Sequence, residues 1–316
     1  MHIAINELTN VKLIPSIKKL ISELKVKKNK FNKIIKIGRT HTQDATPLTL
    51  GDEFSAFHSQ ISLCCNRILI AKKELNFLAQ GGTAVGSGIN APKNFDMVFC
   101  KYLNKITINN YLPAVNKFEA IASHDPLVNF SNSLKNLSIS LMKILNDIRF
   151  LSSGPRSGIG ELQIPANEPG SSIMPGKINP TQIEALSMIC AQVIGNSTTV
   201  DIAGSNGHFQ LNAFKPVIAY NIIQSINLLS DGINSFNKKC LIGIKPNTKN
   251  IKNHLNNSLM LVTALNKSIG YDNAAKIAKK ALKNKTTLKY EALKSKLINE
   301  KDYNKIVNPK KMIYPK

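Results

Sequence analysis

The chain has 316 residues, of which 43% are hydrophobic, so it is long enough to bury a large core and to form one to three domains. It has no apolar run as long as a membrane-spanning helix, and its five cysteines lack CxxC spacing, which disfavours membrane proteins, zinc sites and disulfide scaffolds. The net charge of +23 suggests a nucleic-acid partner, but the lysines are spread along the chain without interleaved aromatic residues, so that role is disfavoured.

The first 30 residues form a predicted amphipathic helical region that is broken near Pro15. A basic amphipathic N-terminus is typical of transit peptides, but these are poor in acidic residues. Glu7 and Glu23 therefore count against a transit peptide.

A polar run at residues 37–48 follows, and it contains Thr40 and His41. A single loop histidine is more often structural than catalytic, but Arg39 and Asp44 flank this one. Histidine is also the side chain that titrates near neutral pH, which suits proton transfer. The run therefore favours a functional histidine.

The next helix is predicted to begin near Thr49, with Asp52 and Glu53 in its first turn. Its core-facing residues recur at helical spacing: Phe54, Phe57, Ile61, Cys64 or Cys65, and Ile68.

A glycine-rich loop at 80–90 then resembles a dinucleotide fingerprint only superficially, because no strand precedes it and GxGxxG does not fit. A long helical pattern covers 118–151, with Leu134, Leu137, Leu141, Leu145 and Ile148 as its buried stripe.

The segment 168–180 concentrates the polar chemistry of the chain, because it holds Ser171, Ser172, Lys177 and Asn179 among glycines and prolines. Asn179-Pro180 predicts a helix start with Asn179 as its N-cap, and a loop of donors at a helix N-terminus suits an anionic ligand. The glycine spacing does not fit a Walker A loop. A plain surface turn remains the alternative. The predicted helix carries Glu184 about one turn in and buries Ile183, Leu186, Ile189 or Cys190, and Val193.

The run 170–180, Gly-Ser-Ser-Ile-Met-Pro-Gly-Lys-Ile-Asn-Pro, resembles the signature loop of the aspartase/fumarase superfamily, and its continuation 181–186 is similar to class II fumarases. The runs 37–48 and 207–216 are similar to the same family, and so are two short runs near the C-terminus. The glycine-rich loop at 80–90 lies near the active site in this family, so the resemblance implies that it lines a site. The resemblance extends from Met1 to the end of the chain.

The periodic segments and the resemblance together predict an all-α fold with no strand run of consequence. A long central helical bundle would occupy 1–247, and a small C-terminal helical domain would occupy 248–316. In class II fumarases a Ser-Ser-Asn-Asp loop leads into Thr-Ala-Met-His-Ile-Ala, whereas this chain opens at Met1–Ala4. The resemblance therefore predicts that the N-terminal domain of the superfamily is missing.

What the resemblance implies is a lyase that reversibly hydrates fumarate to (S)-malate, a tricarboxylic acid cycle reaction, in a homotetramer with composite active sites. It implies these roles: His41, Ser171 and Glu184 are catalytic, with Glu184 as the partner of His41, and Thr40, Ser172, Lys177, Ile178 and Asn179 bind substrate. We expect no metal or organic cofactor, no nucleic-acid or membrane partner, and residence in the cytoplasm, or in the mitochondrial matrix if the source is eukaryotic.

Three further readings stay open at this point. The chain alone is expected to be weakly active or inactive if neither a separate N-terminal piece nor an upstream start supplies the missing carboxylate clamp. An aspartase-type ammonia-lyase is the nearest alternative reaction. A non-catalytic remnant or basic scaffold is the alternative of a different class.

Overall fold

The computed structural model describes residues 1–168 and 173–314, and most of these residues are helical, which confirms the all-α expectation. The helices before residue 240 are α1 (His2–Leu8), α2 (Ile14–Lys30), α3 (Leu50–Glu74), α4 (Phe95–Ile106), α5 (Lys117–Ala122), α6 (Asp125–Leu151), α7 (Thr181–Gly204) and α8 (Lys215–Lys239). The C-terminal helices are α9 (Thr248–Asn257), α10 (Asn266–Ile269), α11 (Tyr271–Asn284), α12 (Leu288–Lys294) and α13 (Glu300–Ile306). Short 3-10 turns cover Leu241–Gly243, Leu259–Leu265 and Pro309–Lys311.

Within the described part of the chain, three two-stranded sheets accompany the helices. Strands β1 (Ile35–Thr40) and β2 (Gln43–Thr49) pair antiparallel as a hairpin, β3 (Phe77–Leu78) pairs parallel with β4 (Leu112–Pro113), and β5 (Leu162–Gln163) pairs antiparallel with β6 (Lys245–Pro246).

The chain divides into two compact units, which are described separately. Unit 1 comprises Met1–Glu23, His58–Arg149 and Ile164–Gly243, and unit 2 comprises Leu24–Phe57, Phe150–Gln163 and Ile244–Lys316. The predicted domain boundary between residues 247 and 248 remains a proposal.

The core of unit 1 is built from the apolar stripes that the sequence predicts. The predicted residues of α6 and α7 are buried, and those of α8 form the stripe Ile218, Ile222, Ile226, Leu229, Ile233 and Phe236. Helices α7 and α8 pack closely, because a Cβ added at Gly232 would lie 2.6 Å from the Ile189 side chain. A buried amide, Asn196, donates from its Nδ2 to the hydroxyl of Ser225 at 3.0 Å.

The core of unit 2 joins the hairpin to the C-terminal helices. Ile37 of β1 is 1% exposed and packs in one cluster with Leu255, Leu261, Val262, Leu265, Ala274, Ile277, Leu288, Ala292 and Tyr303. The predicted cap of α3 is confirmed, since the Thr49 hydroxyl accepts from the Asp52 amide at 3.0 Å and the Asp52 carboxylate accepts from the Thr49 amide at 2.9 Å. The hairpin is therefore anchored at both its strands.

Three local expectations need correction. The break near Pro15 is a π-helical segment, Thr9–Leu13, which continues into α2 without leaving the helical path. The helix predicted over 118–151 is interrupted at Ser123–His124, where α5 ends and α6 begins. The run 37–48, predicted as a polar connection, is the β1–β2 hairpin, and the residues that favour extended backbone there are Ile35, Ile37 and Thr40.

Among the residues that the structure describes, no helix is long and apolar enough to cross a membrane. The five cysteines are buried, and none of them is in a disulfide bond. Over the same residues, no group of three or more His, Cys, Asp or Glu side chains is placed to hold a metal ion.

We predict that Gly51→Ala destabilises the protein, although Gly→Ala in a helix normally stabilises by about 0.5–1 kcal/mol. A Cβ at Gly51 would lie 2.6 Å from Cα of Asn32 and 2.7 Å from the carbonyl oxygen of Lys28, and backbone atoms yield little. We expect urea unfolding to show a loss of about 1–3 kcal/mol. Ser59→Ala, at an exposed position of the same helix, is the control and should stay within about 0.5 kcal/mol of the parent. A Gly51→Ala protein as stable as the parent would contradict the packing described.

Candidate active site

His41 lies at the tip of the β1–β2 hairpin. Because Thr40 pairs with Gln43, His41 and Thr42 are the two central residues of the turn, with φ values of 53° and 60°. Two left-handed residues are typical of a type I′ turn, which normally takes Asn or Gly. A residue with a Cβ pays about 1–2 kcal/mol for this conformation. The turn exposes both Thr40 and His41 and holds the histidine backbone in a strained but defined geometry.

Four charged side chains near this turn form a largely buried ionic cluster: Lys36, Arg39, Glu53 and Glu161. Nζ of Lys36 is 2.5 Å from the Glu53 carboxylate and 3.0 Å from that of Glu161, and Nη2 of Arg39 donates to Glu161 at 2.8 Å. Lys36 is 1% exposed and Glu161 is 0% exposed. Burial alone would raise the pKa of Glu161, but the hydrogen bond from Arg39 and the charges of Lys36 and Arg39 outweigh it, so this pKa lies below its ordinary value. Burial raises the pKa of Glu53 above its ordinary value, and the neighbouring Lys36 charge offsets this only in part.

The second polar segment leads into α7. Ser171 and Ser172 lie outside the described residues, whereas Lys177, Ile178 and Asn179 are described and exposed. The prediction that Asn179 caps the helix is wrong by one residue, because α7 begins at Thr181 with Pro180 at the N-cap position. The carbonyl oxygen of Pro180 accepts from the amide of Glu184 at 3.0 Å. The donors of Lys177 and Asn179 therefore stand just before the helix N-terminus.

Glu184 has a described partner within unit 1. Its carboxylate accepts a hydrogen bond from Nη2 of Arg149 at 2.9 Å, and both side chains are partly exposed. Sequence reasoning missed this arginine. The expected partner, His41, belongs to unit 2, so a bond between His41 and Glu184 stays a prediction.

A cavity of about 600 Å³ lies in unit 1 beside the glycine-rich loop. Gln80, Gly81 and Thr83 of that loop line it, together with the side chains of His2 and His124. Lys215 also lines the cavity, and none of the described residues around it is acidic. A basic, partly apolar cavity of this kind suits a carboxylate ligand.

Burial sets the protonation of the basic groups in the cavity. It lowers the pKa of His2 to about 4, and it also lowers the pKa values of His124 and Lys215. The ring of His124 donates from Nε2 to the carbonyl oxygen of Asn212 at 3.2 Å, and Nζ of Lys215 donates to the same oxygen at 2.7 Å. The resemblance led us to expect that the glycine-rich loop lines a site, and the loop lines this cavity. The basic residues His2, His124 and Lys215 were not expected there, because they come from distant segments of the chain.

The comparisons with known proteins agree with the resemblance seen in the sequence. A family model described as "Lyase" matches residues 1–195, and one described as "Fumarase C C-terminus" matches residues 261–314. Class II fumarate hydratase of Rickettsia bellii is 58% identical over 313 residues, which are 99% of this chain and 68% of the relative. Class II fumarate hydratase of Brucella suis is 56% identical over 315 residues, which are 100% of this chain and 68% of the relative.

Comparison with solved structures supports the same family. The crystal structure of class II fumarase from Schistosoma mansoni superposes with a TM-score of 0.96 at 41% identity, over 100% of this chain and 69% of that chain. Fold and sequence define a lyase built on a helical bundle. The chain belongs to the class II fumarate hydratase family.

We predict that His124→Asn makes the protein less sensitive to mild acid. The folded-state pKa of His124 is lowered, whereas an unfolded histidine takes up its proton near about pH 6.5, so the stability due to the neutral ring is present above that pH and is lost as pH falls below it. The urea midpoint of the parent should therefore drop more steeply between pH 7 and pH 5 than that of the variant. His208→Asn, in an exposed loop, serves as the control and should follow the parent. Equal slopes for His124→Asn and the parent would argue against a buried neutral ring.

Proposed function

We propose that the chain catalyses the reversible hydration of fumarate to (S)-malate, as a hydro-lyase of the tricarboxylic acid cycle. The observation that carries this proposal is the 58% identity to a class II fumarate hydratase across 99% of the chain. The signature loop, with its hydroxyls, its cation and its amide, supplies the polar groups that this reaction needs.

The reaction adds the hydroxyl of water to C2 of fumarate and a proton to C3, on opposite faces. In the reverse direction Ser171 removes the C3 proton of malate, and the negative charge moves onto the adjoining carboxylate. The C2–O bond then breaks and the hydroxyl leaves as water. A serine hydroxyl is a poor base unless its environment stabilises the alkoxide, and Lys177 in the same loop provides a charge of the required sign.

The charge that develops on the substrate carboxylate requires fixed donors. Lys177 and Asn179 stand just before the N-terminus of α7, where the helix dipole also favours negative charge. Ser172, Ile178 and Thr40 complete the proposed binding set, and Ile178, which is exposed, would contribute its backbone amide to a carboxylate oxygen. This arrangement binds the charged intermediate more strongly than the substrate, which is what lowers the barrier.

His41 is proposed as the general acid and base for water, and Glu184 as the carboxylate that orients its ring. His41 belongs to unit 2 and Glu184 to unit 1. We propose that different copies of the chain supply them to one composite site. The guanidinium of Arg149 lies 2.9 Å from the Glu184 carboxylate and places a positive charge beside it.

Two rival functions are less well supported. An ammonia-lyase would add ammonia in place of water, but the relatives reported above are fumarate hydratases. A non-catalytic scaffold predicts that folded protein has no hydratase activity under any condition.

The test follows fumarate absorbance after malate is added to the purified chain. One arm uses the chain alone, and a second adds the separately expressed N-terminal region of the Rickettsia bellii relative. Fumarate formation in either arm supports the proposal. No formation in either arm, with the chain folded by circular dichroism, would refute it.

We predict that His41→Asn lowers kcat by about 100-fold or more, because it removes the proposed acid–base group. His208→Asn is the matched control, since it makes the same exchange at another exposed loop histidine, and its kcat should stay within about twofold of the parent. A His41→Asn enzyme with full kcat would remove His41 from the mechanism.

We also propose a homotetramer with composite sites. Helix α7 is apolar on the side it buries, yet its other side exposes Met188 (67%) and Ile202 (61%). A helix that is apolar all round is expected to be covered all round. Between these two residues Gly195 is exposed, and an added Cβ there would meet nothing within 4 Å, so another helix has room to approach closely. A second copy of α7 fits this side, because the face carries no charged residue between Met188 and Ile202 except Asp201.

We predict that Met188→Lys weakens this assembly by about tenfold or more in its dissociation constant, because the charge would be buried unpaired. Analytical ultracentrifugation over a range of concentrations measures the effect. Leu282→Lys, at a similarly exposed apolar residue of α11, should leave the mass unchanged. A parent chain that sediments as a monomer would contradict the tetramer itself.

The five cysteines are buried and none of them is in a disulfide bond, which is consistent with a reducing compartment. We therefore propose the bacterial cytoplasm, or the mitochondrial matrix if the source is eukaryotic.

A further inference from the structure

The hairpin that carries His41 needs more than its own sequence to hold its turn. Neither His41 nor Thr42 is a glycine or an asparagine, yet both adopt positive φ. Strained residues of this kind persist only where the surroundings over-determine them. Within the turn, the Thr42 hydroxyl donates to the His41 carbonyl oxygen at 2.6 Å, a local contact that does not fix the strands.

The Glu161 carboxylate contacts two residues of β1. The Oε2 atom of Glu161 lies 3.0 Å from Nζ of Lys36, and its Oε1 atom accepts from Arg39 at 2.8 Å. Arg39 is two residues before His41. Because Lys36 also reaches Glu53, the cluster binds the strand to the first turn of α3.

Glu161 itself is fixed by backbone hydrogen bonds. Its amide donates to the carbonyl oxygen of Leu151 and its carbonyl oxygen accepts from the amide of Asn247, each at 2.8 Å. The preceding residue is also held, because Nδ2 of Asn250 donates to the carbonyl oxygen of Gly160 at 3.1 Å. The carboxylate is therefore at a set position before any substrate arrives.

The charges of the cluster balance, with two cations and two carboxylates. Glu161 is the only one of the four with no exposed surface, and Arg39 keeps its Nη1 atom buried without a hydrogen-bond partner among the described residues. Arg39 therefore depends on Glu161 for its orientation. Loss of the Glu161 charge would leave Lys36 and Arg39 in excess and free to move.

We propose that Glu161 is a positioning residue, which acts through Lys36 and Arg39 to hold the His41–Thr42 turn in its left-handed conformation and so presents the His41 ring for proton transfer. The proposal rests on the proposed function for the role of His41. It adds a residue that touches no substrate and that lies 120 positions further along the chain.

The test compares Glu161→Gln with the parent. The amide keeps the shape of the side chain and removes its charge, and we expect kcat to fall by about 10–100-fold while KM changes by less than about threefold, as for a misplaced catalytic group. Amide hydrogen exchange of residues 39–44 should accelerate by at least about tenfold relative to other amides of the fold. The His41 ring signal, assigned with His41→Asn, should broaden or split.

Two further variants separate positioning from stability. Lys36→Met with Glu161→Gln restores the balance of charge, so its unfolding temperature should recover towards that of the parent while kcat stays low. Glu291→Gln removes another carboxylate that is buried in unit 2, and it should destabilise the protein without changing kcat or the His41 signal. If Glu161→Gln alone does not fold, the double variant provides the same readings.

The outcomes distinguish this proposal from the proposed function. The positioning role would be overturned if Glu161→Gln shows the same amide exchange rates in the hairpin and the same His41 ring signal as the parent, whatever its activity. A kcat that recovers together with stability in the double variant would also overturn it. If His41→Asn retains full kcat, the proposed site fails, and the exchange data still decide whether Glu161 holds the turn.

Discussion

The buried ion pairs of Glu161 with Lys36 and Arg39 are the constraint on which the rest of unit 2 depends. Removing one partner of such a pair costs about 3–5 kcal/mol, because the other charge remains buried without compensation. Strand β1 is therefore held next to the Glu161 carboxylate. Ile37, between the two cations, joins the apolar core of the C-terminal helices, so charge and packing fix the same strand.

This constraint matters for the proposed chemistry because strand β1 leads directly into the turn that carries the exposed His41. Proton transfer needs a ring that is accessible and at a defined position, and a short strained turn on an anchored hairpin provides both. The other polar segment, with Lys177 and Asn179, stands just before a helix N-terminus, and we propose that its donors bind carboxylates. The net charge of +23 adds a long-range attraction for a dianion such as fumarate, which salt would weaken.

Helical periodicity predicted most of the fold, because the stripes of α3, α6, α7 and α8 depend on spacing alone. The hairpin was not predicted, since its apolar residues are few and its polar residues suggested a loop. The N-cap of α7 was misplaced by one residue, as helix ends commonly are. His41 and the loop residues are proposed from short motifs, whereas the contacts of Glu161 and Arg149 were not predicted. Their roles depend on contacts with residues 122 and 35 positions away, which spacing does not reveal.

The central claim is that this chain adds water to fumarate by acid–base chemistry, with the carbon proton placed on one face. The most direct test is proton NMR of the product formed from fumarate in deuterated water that contains ammonium. The account predicts malate with one deuterium at C3, as a single diastereomer, and none from Ser171→Ala. Aspartate as the product, malate deuterated on both faces, or unchanged labelling by Ser171→Ala would contradict it.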